Sequence, residues 1–180
     1  MPKYIAFLRG INVGGKNIIK MEKLTVTFVL LGFKNVKTFI QSGNVFFDSA
    51  ANGSGTLTRK IETGLMKEYG SNIKAMLRTF EEMENMVKQN PFKKIKPSDK
   101  IKLYVCFLDK EPKFKSKLPL ISEKEALEVF KIDKKNALII SGQLKDGRYG
   151  FPNNFIEKEL KIFSTARNWN TVYKMMDSIS

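Results

Sequence analysis

With 42% hydrophobic residues among its 180, the chain can bury a core in one large domain or two small ones, and no run of about 18 apolar residues provides a membrane span. It has no histidine and one cysteine, Cys106, so imidazole base catalysis, a Ser-His relay, an internal disulfide and a thiolate zinc site are excluded, and no metal or cofactor is implied. The formal charge of +14 comes mostly from lysine, which points to a polyanionic partner or to a solvated surface that serves solubility alone.

The N-terminal Tyr4-Ile5-Ala6-Phe7-Leu8, with a single preceding Lys, reads as a strand and is too short and polar-flanked for a signal peptide. A cytoplasmic protein with no membrane partner is therefore expected. Residues Arg9-Gly10-Ile11-Asn12-Val13-Gly14-Gly15-Lys16-Asn17 follow as a glycine-rich, cationic stretch suited to holding an anion, because glycine lets backbone N–H groups approach a ligand. The spacing Gly10, four residues, Gly15, Lys16 mimics a Walker A loop. Asn17 stands where that loop needs a hydroxyl, and the next helix begins only near Met21, so a plain glycine turn is the competing reading.

Met21, Leu24, Phe28 and Leu31 give a helix face closed by Gly32. Asn35 to Ile40 and Asn44 to Phe47 are two β-rich runs joined by Gln41-Ser42-Gly43, a hairpin length. A helix is expected over residues 56–69 and a strand over 73–78. Thr79 is a plausible cap for a linking helix that ends before Pro91. Beyond the connection from Pro91 to Pro97, strands are expected at 100–108, 126–132, 137–141 and around 162–164. A short helix is expected near Lys113 to Lys117, another at 154–160, and a terminal helix from Asn170.

This order predicts an α+β protein of two tandem ferredoxin-like (α/β-plait) units with antiparallel sheets, connected by a helix. The expected divisions are a βαββαβ unit over residues 1–78, a linking helix and loop over 79–99, and a second βαββαβ unit with a terminal helix over 100–180. No repeat is detectable in the sequence, so any duplication would be structural.

Two further groups are rich in polar donors: Gln41-Ser42-Gly43-Asn44 and Arg167-Asn168-Trp169-Asn170. One reading is turn and cap chemistry, with Gly43 at positive φ and Asn170 capping the last helix. In the other, Arg167 and Trp169 meet the Gly10 to Lys16 loop across an inter-domain cleft. There Arg9, Lys16 and Arg167 would bind phosphate or carboxylate, Asn12 and Asn44 would orient it, and Trp169 would stack on a ring. The aromatics Tyr4, Phe7, Phe46 and Phe47 on strands one and three raise a base-stacking alternative, although alternation puts only one of each pair on a given face. Ten lysines between Lys88 and Lys117 face only Asp99, Asp109 and Glu111, forming a basic band.

Arg9 to Asn17, then Leu31-Gly32-Phe33, Ile40-Gln41-Ser42-Gly43-Asn44-Val45 and Thr165-Ala166-Arg167-Asn168-Trp169-Asn170-Thr171-Val172 resemble the DUF1697 family of bacterial proteins, from the first strand to the last helix. The resemblance implies paired α/β-plait domains with no established biochemical activity. Where the family usually reads Ser-Lys-Leu-Thr-Asn before the late helix, this chain has Gly150-Phe151-Pro152-Asn153-Asn154. The functional expectation is an anion-binding protein, for nucleic acid or for a small phosphate- or carboxylate-bearing ligand. The alternatives are a small-molecule enzyme without histidine chemistry, or a protein-interaction module.

Overall fold

Alternation along β1 (Lys3–Leu8) turns Tyr4, Ala6 and Leu8 to one side and Ile5 and Phe7 to the other, and both sides are buried, which makes this strand the centre of its sheet. The computed structural model describes residues 1–51, 53–113 and 117–179 and divides into two units, Met1–Met83 and Glu84–Ser180. Their elements form two antiparallel sheets and five helices.

In the first unit β1 is followed by α1 (Met21–Leu30), β2 (Lys34–Phe39), a 3₁₀ turn at Ile40–Ser42, β3 (Asn44–Asp48), α2 (Ser54–Tyr69) and β4 (Ala75–Thr79). The sheet order is β2-β3-β1-β4. Leu24 and Phe28 of α1 and Leu57, Ile61 and Leu65 of α2 share one core with Tyr4, Ala6, Leu8, Val45, Phe47 and Leu77. That places both helices on the Tyr4 face. Helix α3 (Phe80–Gln89) opens on a capping box: the Glu82 amide donates to Thr79 Oγ1 at 3.1 Å, and the Thr79 amide donates to Glu82 Oε2 at 2.8 Å. The division between units falls inside α3.

The second unit contains β5 (Ile101–Leu108), β6 (Leu120–Ser122), β7 (Leu127–Asp133), β8 (Asn136–Gly142), α4 (Asn153–Leu160), β9 (Ser164–Asn168) and α5 (Trp169–Asp177), with sheet order β6-β7-β8-β5-β9. Cys106, Leu108, Val129, Ile139, Phe155, Ile156 and Ala166 lie in its core. Three expectations change here. The short helix placed near Lys113 to Lys117 falls on residues 114–116, outside the described residues. An edge strand, β6, pairs with β7 where no strand was expected. The last strand runs over 164–168 rather than 162–164, because Ser164, Thr165 and Arg167 are buried despite their polarity.

Strand register aligns a likeness between the two units that the sequence alone does not display. Tyr4-Ile5-Ala6-Phe7-Leu8 on β1 and Tyr104-Val105-Cys106-Phe107-Leu108 on β5 hold the same place in their sheets. Phe7 faces Asn44 and Phe107 faces Asn136; Ile5 faces Arg78 and Val105 faces Arg167; Tyr4 faces Thr79 and Tyr104 faces Asn168. The backbone repeats as well: the amides of Leu8 and Leu108 each donate at 2.8 Å, to the carbonyls of Gly43 and Lys135. Glu62 Oε1 accepts from the Ala75 amide at 3.1 Å, and Glu157 Oε1 from the Ser164 amide at 2.8 Å. In both units a helical glutamate thus holds the first residue of the last strand.

Candidate functional site

The glycine loop closes on itself. Gly14 and Gly15 both have positive φ, 57° and 74°, and sit between Val13 and Lys16, which form a bridge closed by the Lys16 amide on the Val13 carbonyl at 3.1 Å. This is the two-residue hairpin geometry that requires glycine for its dihedrals. A Cβ at Gly10, Gly14 or Gly15 would meet nothing within 4 Å, so these glycines are not shaped around a close neighbour. The Asn12 amide group donates to the carbonyls of Ile19 (3.0 Å) and Gln41 (3.1 Å), while its Oδ1 accepts from the Ile19 amide at 2.7 Å. Asn17 donates to the Gly10 carbonyl at 3.1 Å. Asn44 is buried and donates to the Phe39 carbonyl and Ser42 Oγ.

The structure therefore brings Arg9 to Asn17 together with Gln41, Ser42 and Asn44 in the first unit, but it spends the asparagine amides on neighbouring carbonyls of both segments and on the Ser42 hydroxyl. Gly43, at φ 72°, is needed for space as well, since a Cβ would come within 2.6 Å of Ile11. Lys16 is exposed and forms no ion pair among the described residues, and Arg9 is half-buried. As expected for a loop that is not a P-loop, the helix begins at Met21. Tyr4, Phe7, Phe46 and Phe47 are all buried, and Tyr4 stacks on Phe47 at 5.7 Å, so these aromatics serve as core.

Arg167, Asn168 and Trp169 belong to the second unit. Arg167 is buried, and its Nη1 donates to Thr165 Oγ1 at 2.8 Å and to the Ala166 carbonyl at 2.9 Å. Burial lowers its guanidinium to about 10. Its first-unit counterpart Arg78 is likewise lowered to about 10 by burial, against the opposing pull of Glu82, and donates to the Leu77 carbonyl. The pair reads as a repeated structural device rather than a surface anion clamp. The cap of α5 is Asn168, not Asn170: its Oδ1 accepts from the Asn170 amide at 2.9 Å, and its side chain also bonds the Tyr104 hydroxyl. Burial is the main cause that raises Tyr104, with the Asn168 bond opposing it.

Around this cap the second unit holds a cleft of about 480 Å³. The Tyr104 to Asn168 register sets the start of β5 beside the start of α5, and the chain over 90–98 completes the wall. Phe92, Ile95, Ile101, Leu103 and Trp169 give the cleft an apolar lining, with Phe92 and Trp169 5.2 Å apart. Lys93, Lys102, Ser98, Asn90 and Asn170 add polar groups, and no carboxylate residue lines it. Lys102 lies 4.3 Å from the centre of the Tyr149 ring, whose hydroxyl donates to the Asp99 carbonyl. Lys94, Lys96 and Lys100 are exposed on the same segment.

Sequence reasoning found Asn168 and Trp169 but missed the wall from Asn90 to Leu103. The available signal was the basic band, interrupted by Phe92, Ile95 and Pro97. Among the described residues no cluster of Cys, Asp or Glu could hold a metal ion, and no helix is long and apolar enough to cross a membrane. The family model that matches residues 1–137 is described as a protein of unknown function (DUF1697). A solved structure of a conserved bacterial protein from Streptococcus pneumoniae is similar at 22% identity with a TM-score of 0.65, covering 99% of this chain and 99% of that chain, a likeness of fold. No curated protein matches the chain.

Proposed function

Since the chain belongs to the DUF1697 family, whose description assigns no activity, we propose from the geometry of its second unit that it binds an anionic ligand, with nucleic acid as the favoured class. The observation that carries this reading is the cleft between Asn90–Leu103 and Asn168–Asn170, which combines two lysines and an aromatic wall with a lining free of carboxylates. Exposed lysines on the adjoining segment extend the positive field beyond the cleft, as a polymer with repeated phosphates would require. The glycine loop is better accounted for as a self-held turn, so the binding role moves away from Lys16. This reading takes each unit as an α/β plait and places the protein in the cytoplasm, where nucleic acid is abundant.

The test is fluorescence anisotropy of labelled single-stranded RNA and DNA across a salt series. Affinity should fall log-linearly with salt, and Lys93→Gln with Lys102→Gln should weaken binding about tenfold. Lys16→Ala should stay within about twofold, since one exposed lysine outside the site contributes little. Sensitivity to Lys16 with indifference to Lys93 and Lys102 would return the site to the glycine loop. Absence of binding at physiological salt would overturn the reading.

A further inference from the structure

Resting on that reading of the cleft, we propose that the exposed ring of Phe151, beside the cleft, is a platform on which an unpaired base stacks, so that the partner is a single strand bound through a base as well as through its phosphates.

Phe151 is 56% exposed, yet its position is fixed from both sides. The Gly150 carbonyl before it accepts from the buried Ser141 hydroxyl at 2.7 Å, and Pro152 after it is buried where the chain enters α4. The ring itself meets Tyr104 edge to face, with centroids 6.0 Å apart and planes at 87°. Tyr104 is in turn held through its hydroxyl by Asn168. Backbone and ring are braced while more than half of the residue stays open to solvent, which lowers the ordering cost of stacking. A single exposed apolar residue is ordinary on a protein surface, but an aromatic braced in this way beside cations is the arrangement that single-strand binders use.

Three contacts join this segment to the cleft. Asn168, which holds Tyr104, lines it. Lys102 lines it too and lies 4.3 Å from the centre of the Tyr149 ring. The Tyr149 hydroxyl donates to the Asp99 carbonyl, next to the lining residue Ser98. The charge here suits a phosphate backbone running from the cleft toward the ring: Lys100 and Lys102 are exposed against Asp99, and Asp146 is paired with Arg148 at 2.6 Å.

The rings of the first unit's strands offer no such surface, since Tyr4, Phe7, Phe46 and Phe47 are buried. A base inside a duplex has its faces covered by its neighbours, so an open ring selects unpaired bases.

The experiment measures fluorescence anisotropy of two labelled strands of equal length and charge, oligothymidylate and an abasic backbone, on the wild type, Phe151→Leu, Phe151→Tyr and Phe163→Leu. The wild type should bind oligothymidylate about tenfold tighter than the abasic strand. Phe151→Leu keeps an apolar side chain but removes the π-face, so this ratio should fall to about twofold or less, whereas Phe151→Tyr should hold it within about threefold of the wild-type ratio. Phe163 is an exposed ring at the opposite end of β5 from Lys102, where the Asp109 amide donates to its carbonyl at 3.1 Å, and Phe163→Leu should leave the ratio as in the wild type. Equal wild-type affinity for the two strands would overturn this inference and leave anion binding in the cleft standing. A ratio that survives Phe151→Leu, or that falls as far in Phe163→Leu, would refute the platform as well. Failure of both strands to bind at physiological salt would overturn the cleft reading with it.

Discussion

The two units solve the same folding problem with the same central strand and then diverge at the ends of that strand. Tyr-x-x-Phe-Leu, an asparagine opposite its phenylalanine, and a buried arginine opposite its second residue recur in register. Where β1 ends, the first unit inserts a self-clasped glycine hairpin and α1. The second unit has an edge strand, β6, on the way to β7. Where the last strand turns into a helix, Thr79-Phe80 is sealed by Glu82, and Asn168-Trp169 borders a cleft. The shared part is core chemistry, which tolerates few alternatives; the unshared parts are surface connections, where function can change without loss of the sheet.

Substitutions at the divergent ends should break the likeness most. In the second unit, a Cβ at Gly150 would lie 1.9 Å from the Glu125 carbonyl oxygen, a backbone atom that cannot step aside cheaply. Gly150→Ala should cost about 3 kcal/mol or more. Gly43→Ala meets the side chains of Ile11 and Leu8 and a positive φ, and should cost about 2 kcal/mol. Urea titration checks both: Trp169 is the only tryptophan, so its fluorescence reports the second unit while far-ultraviolet circular dichroism reports both. A Gly150→Ala midpoint equal to wild type would mean the close approach is easily relaxed.

The helical glutamates sharpen the shared part instead. Glu62→Ala and Glu157→Ala each remove a charged acceptor from a strand-opening amide, and each should cost about 1–2 kcal/mol. Glu62 also pairs with Lys74 at 3.0 Å, whereas the corresponding residue of the second unit is Phe163. If only Glu62→Ala destabilises, the ion pair rather than the amide bond carries the effect, and the equivalence of the two glutamates fails. Similar midpoint shifts for both would support it.

Much of the first unit is legible in its sequence because its strands and helices follow clean apolar periods, and Thr79 with Glu82 spells its own cap. The second unit hides more. Ser164-Thr165-Ala166-Arg167-Asn168 reads as polar, yet three of its polar side chains are buried, so periodicity misplaces the strand. The repeat escapes detection because only a few residues are identical, and strand pairing is what aligns Arg78 with Arg167. The cleft is invisible for the same reason: its two walls are distant in sequence and meet through the Tyr104 to Asn168 pairing. The glycine loop misleads in the opposite direction, since dihedral demands and ligand demands select the same residue.

The caps come next in size. Thr79→Ala loses the capping box and Asn168→Ala loses one amide bond and the Tyr104 contact; each should cost about 1 kcal/mol, read from the same titrations. A cost at Thr79 without one at Asn168 would mean that the open start of α5 is indifferent to its cap.

The smallest expected effect tests the equivalence of Ala6 and Cys106. Ala6 lies between the larger Val45 and Leu77, whereas Cys106 lies between Ala137 and Ala166, so the extra atom of Cys106 fills room its neighbours leave. Cys106→Ala should therefore cost about 1 kcal/mol at neutral pH. The deficit should shrink in alkali. Burial raises the Cys106 thiol above its ordinary 9.0, so the unfolded chain ionises there first and the wild type loses stability as pH rises past that value. The alanine variant has no thiol to ionise, and at about 1.4 kcal/mol per pH unit the two curves should meet roughly one unit above the ordinary value. A deficit that stays constant from neutral pH through that window would mean the thiol ionises as readily in the fold as out of it, and the buried packing assigned to Cys106 would be wrong.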